Sequence, residues 1–269
     1  EELQVHLSRS ALITTGRFHA GVRYVIRVPG TLLSGDGRTL GDDALVTVRI
    51  PDYEPAIRFE RSEGILSPVG RLMLDAKGVN LEEVALQAWR VHANNLVFHL
   101  HSTNEYETSR SVLDKSVSVD LPHNQPGKLV LSLQELLSQP LGVYRIEARV
   151  ADHRWTRDSA IVTITDLAIT AKRHREGYLV WVTSLRTAEP VSDVVVSGLT
   201  YNNQKVATAK TDAQGIAQLQ FTGRHPDGGI WVITAAKDGD LSYLQPDENQ
   251  WVMDNVTQRG RPYGEHYET

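Results

Sequence analysis

His99-Leu-His101 is the pair of side chains in this sequence best placed to do chemistry. On a strand, residues i and i+2 share a face, so both imidazoles could point at one metal ion. No third ligand is placed by the spacing, and the competing reading is a pair of surface or interface histidines. Asp36 and Asp42-Asp43 flank a glycine turn, and Asp212 stands two residues before Gln214-Gly215. Calcium needs several oxygens converging, and neither spacing fits the twelve-residue loop pattern. These aspartates read instead as turn formers that bond their own backbone.

Other reactive types are less well arranged. Ser10, Ser67 and Ser102 lack the Gly-x-Ser-x-Gly setting of a nucleophile elbow. Glu82-Glu83 would lie on opposite faces of a strand, a poor arrangement for paired acid–base work on one substrate. Trp89, Trp155, Trp181, Trp231 and Trp251 could build a sugar-stacking face, but four lie in or beside predicted strands and read as core. Arg173-His-Arg175 reads as a solvated hairpin end. The absence of cysteine excludes disulfides, thiolate nucleophiles and Cys-ligated metal sites within this chain. No residue is therefore assigned a catalytic, cofactor-binding or metal-binding role, and no cofactor is expected.

The elements that would have to position such groups are strands. Val22-Arg-Tyr-Val-Ile-Arg-Val28 alternates, Ser34-Gly-Asp-Gly37 is a turn signal, and residues 44–50 close a hairpin. Two prolines in Pro51-Asp-Tyr-Glu-Pro55 mark a linker. Strands follow at 56–59, 71–76, 83–91, 143–150 and 159–165, with Val84, Leu86 and Ala88 on one face. Residues 130–137 fit neither a helix nor a strand well, and 104–124 read as a long polar loop with one hairpin arm at 116–121. Beyond Asp166, Tyr178-Leu-Val-Trp-Val-Thr183 has strand composition. Ile216-Ala-Gln-Leu-Gln-Phe221 alternates with Ala217, Leu219 and Phe221 on the apolar side. Between strands, Thr211-Asp-Ala-Gln-Gly215 reads as a hairpin.

This gives an all-β chain of tandem antiparallel sandwiches of immunoglobulin or fibronectin-like type, with about seven short strands each. The divisions are 1–52, a partial β domain; 53–165 and 166–248, two sandwiches; and 249–269, an extended linker. The near-absent link at 165–166 predicts close packing of the second and third units. Hydrophobic residues make up 41% and charged residues 23% of the chain, which argues against global disorder. The 33 acids and 28 bases are mixed without a basic stripe, so nucleic acid is not an expected partner. The apolar runs are strand-sized, short of the roughly 18 residues that span a bilayer. The chain opens Glu1-Glu2 without Met, and is read as a piece of something longer, its targeting signal outside it.

Four places resemble the bacterial α2-macroglobulins. They are Gly21-Val-Arg-Tyr-Val-Ile-Arg-Val with Gly35-Asp-Gly-Arg-Thr-Leu40; Gly64-Ile-Leu66 with Val79-Asn-Leu-Glu-Glu-Val84 and Trp89-Arg-Val91; Leu141-Gly-Val-Tyr144; and the stretch from Asp166-Leu-Ala-Ile169 through Trp181-Val-Thr-Ser-Leu185, Pro190-Val191 and Thr211-Asp-Ala-Gln-Gly215 to Ala236-Lys-Asp-Gly-Asp-Leu241. Ala188 and Asp193 depart from that pattern, standing where relatives tend to carry Gly. The resemblance implies macroglobulin-like domains near the N-terminus of a larger envelope protein that captures proteases physically. In that family a bait segment is cleaved and the shell rearranges, and in some members a Cys-x-Glu-Gln thioester bonds the attacker. This cysteine-free stretch would be non-enzymatic scaffold, located in the periplasm or cell envelope of a Gram-negative bacterium. It would meet proteases through other parts of the parent protein, with other envelope proteins as further partners. A surface adhesin or Ig-like ligand-binding array is the alternative class. A carbohydrate module of a hydrolase is a third, and predicts sugar binding that Trp→Ala changes abolish.

Overall fold

A computed structural model describes residues 4–8, 11–101, 111–151, 153–221, 226 and 228–246. Its N-terminal part is two hairpins. Strands β1 (Gln4–Ser8) and β2 (Ala11–Thr15) form one; β3 (Arg23–Val28) and β4 (Ala44–Arg49) form the other. In the second, Tyr24, Ile26 and Val28 lie opposite Val48, Val46 and Ala44, the alternation seen in the sequence. At the turn the Gly37 N–H donates to the Ser34 carbonyl at 2.9 Å. Among the residues of β3, β4 and their connection, only Gly30 is buried, because two-stranded ribbons cannot enclose a core.

Asp43 closes this ribbon. It accepts from the Gly30 N–H at 2.8 Å and from Arg27 Nε at 2.6 Å, as a turn-organising aspartate should. The Gly30 N–H, and after it Arg27, hold the Asp43 carboxyl below the usual carboxylate range. A depressed native pKa means the ionised form favours the hairpin above the ordinary carboxyl pKa, and this support is lost as pH falls through the lower native value. The Gly30 amide proton shift is therefore expected to titrate with a midpoint below the ~3.9 of a free aspartate. Asp43→Asn should abolish that titration, and a midpoint at or above ~3.9 would contradict the assignment.

The next unit contains β5 (Ala56–Phe59), β6 (Glu63–Leu66), β7 (Met73–Val79), β8 (Glu83–Val91), helix α1 (Leu96–His101), β9 (Ser111–Ser118), β10 (Gly127–Ser132), the single helical turn α2 (Leu133–Leu136), β11 (Gly142–Val150) and β12 (His153–Ile164). A three-stranded sheet ordered β10-β7-β5 packs on a five-stranded sheet ordered β6-β12-β11-β8-β9. All pairings are antiparallel except β6 with β12. The core alternates strictly: Ile57 and Phe59, Leu74 and Ala76, Val84, Leu86 and Ala88, Ile146 and Ala148, Ala160 and Val162 all point into one cluster. Residues 130–137 fitted neither pattern because they are both things. The strand β10 ends at Ser132, and the chain then makes one helical turn in which Leu137 N–H donates to the Leu133 carbonyl at 2.9 Å. The arm expected at 116–121 begins earlier, as β9, and β12 begins at His153 rather than 159.

The last unit contains β13 (Leu167–His174), β14 (Gly177–Ser184), β15 (Val195–Leu199), β16 (Lys205–Lys210), β17 (Ile216–Gln220), β18 (Val232–Lys237) and β19 (Asp240–Leu244). Sheets β13-β14-β17 and β16-β15-β18-β19 enclose Val180, Val182, Val196, Leu219, Ile233 and Ala235. The segment 211–215 is not a hairpin within one sheet: β16 and β17 belong to different sheets, so it carries the chain across the sandwich. Asp212 organises that crossing, its Oδ1 accepting from the Gln214 and Ile216 N–H groups, both at 2.9 Å. Gly177 follows the β13–β14 turn at φ +139, where an added Cβ would fall onto the Leu219 carbonyl oxygen and 2.8 Å from Phe221 N.

The two departures from glycine carry a backbone cost. Ala188 and Asp193 take positive φ, 60° and 57°, a region where an L side chain crowds the following carbonyl. Asp tolerates it better than Ala, because its short polar side chain bonds locally. Ala188→Gly should therefore stabilise the third unit by roughly 0.5–1 kcal/mol, read as a shift in urea midpoint at constant slope. Asp193→Gly should gain less; equal or reversed effects would contradict this ranking.

Candidate functional site: the seam between the second and third units

Of the side chains singled out for chemistry, His101 and Trp231 meet at the joint between the two sandwiches, and there they serve packing. Residues 96–101 form helix α1, not a strand, so successive residues step by about 100° and His99 and His101 cannot share a face. His99 is buried and its carbonyl accepts from Arg145 Nη2 at 2.9 Å. His101 turns outward onto the third unit, where its ring stacks on Tyr201 at 4.6 Å and 26°. Trp231 meets His101 edge-on at 5.7 Å and Tyr201 at 5.2 Å. His101 thus takes the interface place that the competing reading gave the pair, while His99 is buried.

Beneath this aromatic trio lies a third hydrophobic cluster contributed by both sandwiches. The second unit supplies Val91, Leu96, Val97, Val143 and Ile161; the third supplies Leu199, Val232 and Leu241. Strand β11 is consequently buried on both faces, Tyr144, Ile146 and Ala148 facing its own core, Val143 and Arg145 the outer side. A polar contact crosses the joint, and others brace the chain on either side of it within each unit. Asn203 Nδ2 donates to the Asn94 carbonyl at 2.8 Å, and Thr165 N–H to the Leu66 carbonyl at 3.1 Å. Asp166 N–H donates to Asp240 Oδ2 at 2.8 Å, while its carboxylate accepts from Ser184 Oγ and the Arg186 N–H. The close packing expected from the near-absent linker is seen in the apolar cluster that the two units share.

Beside the seam opens a cleft of about 690 Å³ lined by residues that include Arg90, His92, Asp193, Lys237 and Asp238. Its cations are engaged: Arg90 Nη1 donates to Gln139 Oε1 at 2.9 Å and Lys237 Nζ to the Ser192 carbonyl at 2.8 Å. Among the described residues no three His, Asp or Glu side chains are grouped to hold a metal ion. Nor is any described helix long and apolar enough to cross a membrane.

The Leu141-Gly-Val-Tyr144 motif has a physical basis here. Tyr144 is buried at the start of β11, and its hydroxyl donates back to the Gln139 carbonyl and, at 3.3 Å, towards Leu141. A tyrosine that bonds backbone upstream of its own strand pins the sandwich corner. Burial pushes its hydroxyl pKa up, opposed by Arg90. Tyr144→Phe keeps the ring and leaves the two carbonyls without that donor, so a loss of about 1 kcal/mol in chemical denaturation is expected. No measurable change would refute the role.

The remaining candidates separate. Asp36 accepts from Ser34 Oγ within its own turn, while Glu82 and Glu83 are both exposed. Ser10, Ser102 and Trp251 lie outside the described residues, as does the whole 249–269 tail. The tryptophans are not mostly core: Trp89 is 3% exposed, but Trp181 is 47% and Trp155 80% exposed, and Trp231 belongs to the seam. Trp181 Nε1 donates to the Gln214 carbonyl at 3.1 Å, which binds β14 to the 211–215 crossing. Arg173 and Arg175 are exposed at the β13–β14 turn, as a hairpin end should be. The seam residues of the third unit gave no sequence signal, since Leu199, Val232 and Leu241 sit on strands whose apolar residues also fill the core.

Against this geometry the comparisons with known proteins agree. Residues 164–256 match the family model of the bacterial alpha-2-macroglobulin MG3 domain. The chain is 22% identical to the alpha-2-macroglobulin of Rickettsia conorii over 221 residues, covering 72% of this chain and 12% of that protein. It is 24% identical to that of Escherichia coli over 223 residues, covering 77% of this chain and 13% of that protein. It thus spans about an eighth of the curated relatives it matches. Its fold is similar to a crystal structure of Salmonella alpha-2-macroglobulin, with a TM-score of 0.72 at 18% identity over 96% of this chain and 16% of that one. A structure of native E. coli alpha-2-macroglobulin spanning domains MG0-NIE-MG1 gives a TM-score of 0.64 at 18% identity, over 90% of this chain and 81% of that one. The architecture is that of macroglobulin-type β-sandwiches joined in tandem. Residues 164–256 thus fit a bacterial alpha-2-macroglobulin domain model, and the chain as a whole shares the fold of the solved alpha-2-macroglobulin structures, which supports a fragment of that family.

Proposed function

We propose that this chain is non-enzymatic scaffold from the N-terminal region of an envelope protein that entraps proteases, acting in the periplasm of a Gram-negative bacterium. In this reading 53–165 and 166–248 are complete macroglobulin-like domains and 1–52 is the end of a preceding one. The shared core of the seam carries the proposal. It joins two sandwiches so that they move as one piece, which a shell that must rearrange as a whole requires of its struts. Proteases would be met by other parts of the parent protein. In the full-length parent, limited cleavage by a panel of proteases should produce a compact form visible by small-angle scattering and native electrophoresis, with the protease retained. Cleavage without compaction or retention would remove the basis for the proposal, and would favour an Ig-like adhesive array.

A further inference from the structure

The N-terminal hairpins are tied to the rest of the chain by polar side chains rather than by a shared core. Among the described residues the hydrophobic clusters begin at Ile57, so buried apolar packing does not set the direction of the preceding ribbon. Residues 51–55 are instead gripped by two asparagines of the second unit. Asn80 follows β7, and Asn124 precedes β10. Asn80 Nδ2 donates to the Tyr53 carbonyl at 2.7 Å, and Asn124 Oδ1 accepts the Tyr53 N–H at 3.0 Å. The two residues also hold each other, through Asn80 Nδ2 to Asn124 Oδ1 at 2.9 Å and the Asn124 backbone N–H to Asn80 Oδ1 at 2.6 Å. Both polar groups of one linker peptide residue are therefore captured by a preassembled pair.

The grip extends to the preceding residue and to the ribbon itself. Asn124 Nδ2 donates to Asp52 Oδ1 at 2.5 Å, and His123 Nε2 lies 3.2 Å from the same oxygen. On the ribbon side the Gly21 N–H donates to the Ile50 carbonyl at 3.1 Å and the Pro51 carbonyl at 3.2 Å. Gly21 takes φ +76, and a Cβ there would sit 2.5 Å from Asp52 Oδ1 and 2.6 Å from Asn124 Nδ2. Asn80 and Asn124 take φ 51° and 57°, a left-handed conformation that asparagine adopts more readily than most residues.

We propose that residues 51–55 are a latched hinge: the Asn80–Asn124 pair locks the N-terminal ribbon at one angle, and releasing the pair lets it swing. Exposed and half-buried hydrogen bonds of this kind are individually modest. A latch made of them can open without unfolding the sandwich it is mounted on, as local openings of low free energy do. Hinges of this sort concentrate large backbone changes in a few residues between rigid bodies.

The test uses the whole 269-residue chain, whose lack of cysteine leaves introduced thiols unique. Spin labels at Thr47→Cys on β4 and Lys115→Cys on β9 report the angle as a distance distribution by double electron–electron resonance. The parent chain should give one narrow distance. Asn80→Gly with Asn124→Gly keeps the left-handed backbone and removes the bonds, and should broaden the distribution at least two-fold with the melting temperature of the second unit unchanged. Should that pair of changes lower the melting temperature, Gly21→Ala, which leaves both asparagines in place, should give the same broadening by wedging the latch open. A parent distribution already as broad as the variants, or variants as narrow as the parent, would overturn the latch.

Discussion

Leu96→Ala is expected to cost about 2–5 kcal/mol and to separate the unfolding of the second and third units into two transitions. Leu96 is fully buried, yet its side chain packs in the cluster that both sandwiches build. Truncation leaves a cavity at a place where neither neighbour can collapse freely, because each is fixed to its own sheet. Losing cooperativity follows from the same fact, since the seam's shared apolar contacts are what make one sandwich aware of the other. Scanning calorimetry of the parent chain should show these two units melting together. A single transition shifted by less than about 0.5 kcal/mol, within the range of an ordinary surface change, would mean that the packing of Leu96 is not what couples them.

Gly177→Ala is expected to be at least as damaging, about 3 kcal/mol or more, and confined to the third unit. The obstacle is backbone, not a side chain that could turn away: the new methyl would overlap the Leu219 carbonyl that β17 presents to β14. Relief would require opening the β14–β17 pairing around Tyr178 and Leu219, which places two core residues at risk. The amides of β14 and β17 should lose hydrogen-exchange protection, while those of β8 and β11 keep it. Uniform loss across the chain would show instead that the damage spreads through the seam.

How much of this was legible in the residues differs by element. Strand β8 was readable because Val84, Leu86 and Ala88 alternate with residues of the other face and meet a single core. Helix α1 was not, since Leu-Val-Phe-His-Leu-His has strand composition; burial of Leu96 and Val97 at the seam overrides that local preference. Strand β6 is too short, and interrupted by Gly64, to be read from its own pattern, so only the resemblance marked Gly64-Ile-Leu66 as a strand; its partner β12 lies nearly a hundred residues away in parallel. The misjudged tryptophan has a similar cause. In Tyr178-Leu-Val-Trp-Val-Thr183 apolar residues occupy both faces, so nothing local says that Tyr178, Val180 and Val182 point inward while Leu179 and Trp181 face out. As for chemistry, the sequence offered candidates one residue at a time, and the fold brought His101, Tyr201 and Trp231 together as a contact between bodies.

The double burial of β11 has a mechanical consequence. A strand clamped between its own sandwich and its neighbour has no soft side, so bending at the joint would have to strip apolar surface into water along its length. The pair of sandwiches is then a stiff beam, and torque applied near β19 reaches β5 with little lost on the way. Compliance has to reside elsewhere, and the place with no apolar surface to expose is the short arm at Tyr53.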